Sequence, residues 1–257
     1  MEYVLPVIVA LLASLLTFFS GFGLGTLLLP AFAVFFPTEV AITLTAIVHF
    51  LNNLFKTGLI GRRANVRVLL LFGLPAGVAA WLGARALSLL ADTPPLLQYE
   101  VLGEQAEITA INLTIAGLMV VFAITELSSV AKRLQISPRL LPLGGLLSGF
   151  FGGLSGHQGA LRSMFLIKAG LNKEAFIATG IVISLVIDIT RISTYLSSGT
   201  DWYEPEYLGI LIPTVLAAFI GALLGRRLLT KMTLENIQLM VSALIFLMAL
   251  LIGSGLL

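Results

Sequence analysis

The sequence predicts an all-α, polytopic integral membrane protein: an inverted 4+4 repeat, each half a helical hairpin followed by three transmembrane helices. Three observations carry that expectation: an extreme apolar composition, a glycine-then-polar pattern that occurs twice, and loops that alternate in charge. Of 257 residues, 58% are hydrophobic and 11% charged, and the mean hydropathy is +1.04. Soluble domains do not reach that balance. Runs such as Val4–Phe19, Leu208–Leu224 and Ile237–Ile252 approach the roughly 20 apolar residues that a bilayer-spanning helix needs. They lack the alternation of a membrane β-barrel strand.

The same composition excludes several function classes. There is no cysteine, which removes disulfides, thiolate metal sites and thiol catalysis. Two histidines make no metal cage by themselves, so neither a metal nor a cofactor is expected. A net charge of +2 is too small to point to nucleic acid. The first run follows Glu2 rather than a basic leader and reads as a retained helix, not a signal peptide. Every hydrophilic stretch reads as a loop.

The duplication is visible in the residues. Ser20-Gly21-Phe22-Gly23-Leu24-Gly25 is followed by an apolar arm, then Glu39, then a segment interrupted by Asn53 and Lys56. Ser148-Gly149-Phe150-Phe151-Gly152-Gly153-Leu154-Ser155-Gly156 is followed by an apolar arm, then Glu174, then a segment interrupted by Asp188 and Arg191. Glu39, Asn53 and Lys56 fall on Glu174, Asp188 and Arg191 at one constant offset. Further on, Pro75 with Gly83-Ala84 matches Pro213 with Gly221-Ala222.

Helices are expected over 3–19, 24–36, 39–60, 67–91, 107–129, 140–151, 159–169, 174–197, 206–230 and 234–256. The loops after 60, 129 and 224 carry Arg62, Arg63, Arg67, Lys132, Arg133, Arg139, Arg226, Arg227 and Lys231. Loop 92–107 carries Asp92, Glu100, Glu104 and Glu107, and loop 198–206 carries Asp201, Glu204 and Glu206. Basic loops stay in the cytoplasm, so the two sets face opposite sides. Segment 140–169 must then leave and return to one side. As one straight helix its roughly 30 residues would reach about 45 Å, against a bilayer core of about 30 Å. A hairpin turning between Gly149 and Gly159 resolves both constraints, and the same reasoning makes 3–36 a hairpin of opposite orientation. The competing arrangement runs 3–36 as one long tilted helix. Residues 1–129 therefore form the first repeat and 140–257 the second.

The hairpin tips and two later helices supply the candidate site residues. Glycines at the tips would break the helix inside the membrane, and the second arm of each hairpin would offer free N–H groups and a positive dipole end to an anion. Ser20, Gly21, Gly23 and Thr26 form the first tip; Ser155, His157 and Gln158 form the second. The bland alternative is that these glycines only let helices approach closely. Arg162, in the arm after the second tip, presents a planar donor fork suited to carboxylate, sulfonate or phosphate. Segment 39–60 carries Thr45, His49, Asn53 and Lys56 on one face, and 174–197 carries Ser184, Asp188, Arg191 and Tyr195 on the equivalent face. Asn53, Asp188 and Arg191 are candidates for the pathway. Asp188 and Arg191 are also spaced to pair, and Lys56 and Arg191 are long enough to snorkel to an interface.

These glycine-rich hairpins, Ser20–Gly25 with Pro30 and Ser148–Gly156, resemble those of the sulfite exporter TauE/SafE family of four-plus-four anion permeases, over essentially the whole chain. The resemblance implies a multi-pass permease of the bacterial inner membrane that moves sulfite, sulfonates or related organosulfur anions, coupled to a proton or another ion. The family's second arm is usually followed by a proline; Gly156-His157-Gln158-Gly159-Ala160-Leu161-Arg162-Ser163-Met164-Phe165 has none, which marks a variant subgroup. The expected partners are a small anion, the lipid bilayer and a coupling ion, and a homo-oligomer is compatible with the sequence. An anion channel is the nearest alternative function. An intramembrane enzyme using Ser155 with His157 is a more distant one, since no GxSxG motif occurs. No GxxxxGK[ST] phosphate loop occurs either, so the chain itself is not expected to use ATP.

Overall fold

The computed structural model describes residues 4–20, 24–101, 104–127, 136–197, 205–228 and 234–256. It is all-α apart from one small β-hairpin. In chain order the elements are α1 (Val4–Ser20), α2 (Leu24–Ala33), α3 (Thr38–Ile60), α4 (Val66–Ala91), β1 (Leu97–Val101), β2 (Glu104–Ile108), α5 (Ala110–Leu127), α6 (Leu141–Ser155), α7 (Gly159–Leu166), α8 (Lys173–Ser197), α9 (Pro205–Leu228) and α10 (Leu234–Gly253). Side-chain caps start three of the helices. Asn65 Oδ1 accepts from the Val68 amide at 3.0 Å for α4, Thr109 Oγ1 from the Asn112 amide at 3.1 Å for α5, and Asn172 Oδ1 from the Ala175 amide at 2.9 Å for α8. Among the described residues four helices are long and apolar enough to cross a membrane: Thr38–Arg63, Val66–Ala91, Lys173–Ser197 and Tyr207–Gly225.

The polarity is inverted relative to a soluble protein. Leu70, Leu74, Val78, Ile212, Leu216, Leu247 and Leu250 are more than half exposed, whereas the buried set includes Asn52, Asn53, Lys56, Asp188 and Arg191. Apolar side chains facing outward over whole helices suit lipid as solvent, and polar groups are then gathered inside.

Each early hairpin arm lies along a helix far away in sequence. α1 packs along α9, α6 along α4, α5 along α10, and α3 against α8. The α4–α6 seam is backbone against backbone. Gly145, Gly149 and Gly153 recur one turn apart, and a Cβ on each would overlap the carbonyl oxygen of Phe72, Ala76 and Ala80 in turn. From the other side, a Cβ at Gly83 would overlap the Phe150 carbonyl oxygen. At the α1–α9 contact the same part is played by Gly221, against the Leu11 carbonyl oxygen. Small residues that let backbones touch are the means by which helices associate in lipid, where apolar burial alone gives no preference.

Several expectations are corrected. The expected loop 92–107 contains paired antiparallel strands, Leu97–Val101 and Glu104–Ile108, with Leu97 opposite Ile108, Tyr99 opposite Ala106 and Val101 opposite Glu104. Its apolar residues alternate along the first strand, and the Tyr99 hydroxyl donates to the Ser254 carbonyl at the end of α10. The following helix therefore starts at Ala110 rather than 107. Gly152 and Gly153 do not break their helix: α6 continues through them to Ser155, because their role is close approach to α4 and α8. The reversal comes at Gly156, whose φ of +80° is cheap only for glycine. α7 ends at Leu166, short of 169. α4 carries a π turn over Leu69–Gly73, just ahead of Pro75, which has no N–H to donate. Val4–Ser20 and Leu24–Ala33 are separate helices packed on each other. Lys132, Arg133, Lys231, Asp201 and Glu204 lie outside the described residues.

Candidate functional site

The centre of the molecule is organised around one carboxylate. Asp188 of α8 is fully buried. Its Oδ2 lies 2.7 Å from His49 Nδ1 and accepts from Asn53 Nδ2 at 3.2 Å, both reaching across from α3. Its Oδ1 accepts from Arg191 Nε at 3.1 Å and lies 2.9 Å from Nη2. Asp188 and Arg191 thus pair within α8 as their spacing predicts, and the same carboxylate ties α8 to α3. Arg191 is 0% and Lys56 4% exposed, so neither side chain reaches an interface as their length would permit.

The start of α2 and the turn after α6 meet at this cluster. Among the described residues Arg191 Nη1 has no hydrogen-bond partner, and it lies against Gly156, where an added Cβ would stand 2.7 Å from it. A Cβ at Gly25, in the first turn of α2, would stand 3.5 Å from Thr45, 3.8 Å from the Gly156 carbonyl oxygen and 3.9 Å from the His49 ring. Tyr195, one turn beyond Arg191, donates through its hydroxyl to the Gly153 carbonyl at the end of α6. Backbone at the start of α2 and at the end of α6 and side chains of both polar helices therefore share one small volume.

Arg162 is buried and donates from Nη1 to Ser184 Oγ and, at 3.3 Å, to Gln158 Oε1. Room for it is made by Gly180, where an added Cβ would stand 3.3 Å from Arg162 Nε. At the repeat offset, Gly180 and Ser184 correspond to Thr45 and His49. The second half keeps these two positions small and fills the space with a guanidinium; the first half fills it with a hydroxyl and an imidazole.

The remaining candidates fall as follows. Ser155 and His157 are buried, with His157 Nδ1 3.1 Å from Ser155 Oγ and the imidazole parallel to the Phe122 ring at 5.7 Å. His157 Nε2, which a catalytic triad would tie to a carboxylate, has no partner among the described residues. Gln158 is fully buried, its carbonyl accepts from Ser148 Oγ at 3.2 Å, and its Nε2 has no partner among the described residues. Thr26 is buried on α2. Gly21 and Gly23 lie outside the described residues, and Ser20 is described only as the last residue of α1. From the sequence, His49 stands only as a weaker candidate for the site, and Thr45 and Ser184 only as members of the polar faces. Their signal was present, since they share the helical faces of Asn53 and Asp188. Beside them Asn52, buried against Ser14 at 3.3 Å, lies 3.1 Å from Lys56 Nζ when its amide oxygen is turned that way.

Lipid-facing exteriors and a buried ionic cluster beside interrupted helices are how many membrane transport proteins are built. The chain belongs to the sulfite exporter TauE/SafE family, whose sequence profile matches residues 6–252. Searches of curated proteins and of solved structures returned no match.

Proposed function

We propose that the chain is a secondary transporter of a small anion, sulfite, a sulfonate or a related organosulfur compound, in a bacterial inner membrane. The observation that carries this reading is a charge imbalance. Among the described residues the buried guanidiniums are Arg162 and Arg191, against one buried carboxylate, Asp188. A charge at bilayer depth costs roughly 2.5–3.5 kcal/mol or more, so an excess of buried cations suits a site visited by a negative cargo. The unfilled groups agree: Arg191 Nη1 and Gln158 Nε2 can only donate, and Thr45 Oγ1 can do so. Sulfite and sulfonate oxygens accept and do not donate, which is the complement of that set.

Transport by alternating access of inverted halves is supported by the exchanged packing. α1 of the first half seats on α9 of the second through Gly221, and α6 of the second seats on α4 of the first through Gly83. Those two glycines are the pair that the sequence aligns. A reporter fused in loop 170–173 should lie in the cytoplasm and one near residue 37 in the periplasm. The same side for both would remove the inverted arrangement.

The site reading is tested in proteoliposomes with sulfite, sulfonates, sulfate and carboxylates. Arg162→Ala removes a charge-assisted donor worth about 1.5–3 kcal/mol, so half-saturation should rise by about 10–100-fold for the preferred anion. Undiminished saturable uptake takes Arg162 out of the site. Counterflow of labelled anion is expected of a carrier; its absence with unsaturable flux assigns a channel.

A further inference from the structure

A cavity of about 530 Å³ opens where α4 and α6 begin, lined by Asn65, Arg67, Val68, Leu71, Pro138, Arg139, Leu141, Pro142 and Ala169. It shares no residue with the central cluster. We propose that this cavity holds the phosphate headgroup of an anionic phospholipid, with Arg67 and Arg139 as its two cationic contacts. The proposal rests on membrane residence alone and not on the transport reading.

Three features converge on that ligand. Both arginines are exposed, and among the described residues neither makes an ion pair and none lining the cavity is a carboxylate. Two guanidiniums facing one opening are suited to a phosphodiester, which each can hold with paired N–H donors. The second feature is the apolar part of the wall: Val68, Leu71, Leu141, Pro142 and Ala169 offer a surface to glycerol carbons and the first acyl methylenes, which a free inorganic anion would leave unused. Depth is the third. Arg67 stands in the first turn of α4, and the same helix then presents Leu70, Leu74 and Val78 outward at 52%, 64% and 64% exposure. The opening is thus at the level of the headgroups, at the border of the lipid-facing surface. Basic pockets between transmembrane helices bind anionic headgroups in this way.

The test uses purified full-length protein in neutral detergent, titrated with phosphatidylglycerol, phosphatidylcholine or soluble glycerol phosphate, with lipid retention read by native mass spectrometry and the melting temperature read alongside. Phosphatidylglycerol should be retained and should raise the melting temperature; phosphatidylcholine should do neither. The R67Q/R139Q double variant should bind phosphatidylglycerol about thirty-fold more weakly, about five-fold for each arginine lost. Ala169→Phe, which fills the cavity and keeps both charges, should also lose retention. Arg62→Gln removes an exposed cation from the same loop without lining the cavity, and should retain the lipid as the native protein does. Equal retention by the double variant, equal loss in Arg62→Gln, or a full shift with glycerol phosphate alone would each overturn the proposal.

Discussion

Asp188→Asn should abolish transport and lower the melting temperature of the purified protein. The carboxylate satisfies His49, Asn53 and Arg191 at once, and nothing else described in that volume is negative. Removing one partner of a buried ion pair typically costs about 3–5 kcal/mol, because the other charge is left without compensation. Against a total stability of about 5–15 kcal/mol this is a large share. The informative companion is Asp188→Asn with Arg191→Gln. If the pair serves transport, removing both charges should restore much of the thermal stability and none of the saturable uptake. Recovery of both would assign the pair to architecture alone.

Gly149→Val should prevent accumulation of folded protein. The added Cβ meets the carbonyl oxygen, Cα and carbonyl carbon of Ala76, all of them backbone, so no side chain can turn aside to relieve the overlap. Overpacking in an adaptable core costs about 1–3 kcal/mol. Here the relief available is separation of α4 from α6 along the seam that also seats Gly145, Gly153 and Gly83, so the loss should exceed that range. Gly149→Ala should show the same defect in milder form. Gly58→Ala is the control: open space surrounds that position, and exchange of a helical glycine for alanine should raise stability by about 0.5–1 kcal/mol. Accumulation in the membrane and elution as a single species in detergent are the measurements. Normal behaviour of Gly149→Val would remove the backbone contact from the description.

The helices were legible because a membrane allows few alternatives: an apolar run bounded by charge is a helix, and its ends follow within a turn or two. The β-hairpin was missed for a related reason. Judged by overall polarity, 92–107 looks like a loop, and only the alternation of Leu97, Tyr99 and Val101 against Gln98 and Glu100 carries its strand character. Glycines posed a different difficulty. One that turns the chain, such as Gly156, and one that admits a neighbouring backbone, such as Gly153, are the same letter; the distinction lies in α4, a helix remote in sequence. His49 shows the limit for the site. Its helical face was readable, but its partner Asp188 is on another helix, and no spacing rule connects two helices. The vacated positions Gly180 and Ser184 are understood only once Arg162 is seen lying over them.

The seating of α1 on α9 bears on how the chain is made. Ribosomes add about 5–20 residues per second, so α1 emerges long before the helix that receives it, and waits about 10–40 s for Gly221 to reach the Leu11 carbonyl. Meanwhile it can stand in lipid, because Val4, Leu5, Ile8 and Leu12 keep an apolar flank exposed even in the finished protein. α6 has no such delay, since α4 precedes it in the chain. Biogenesis is therefore lopsided: the α4–α6 seam can close during synthesis, while the α1–α9 seam must close late, drawing the first helix of the chain onto one of its last.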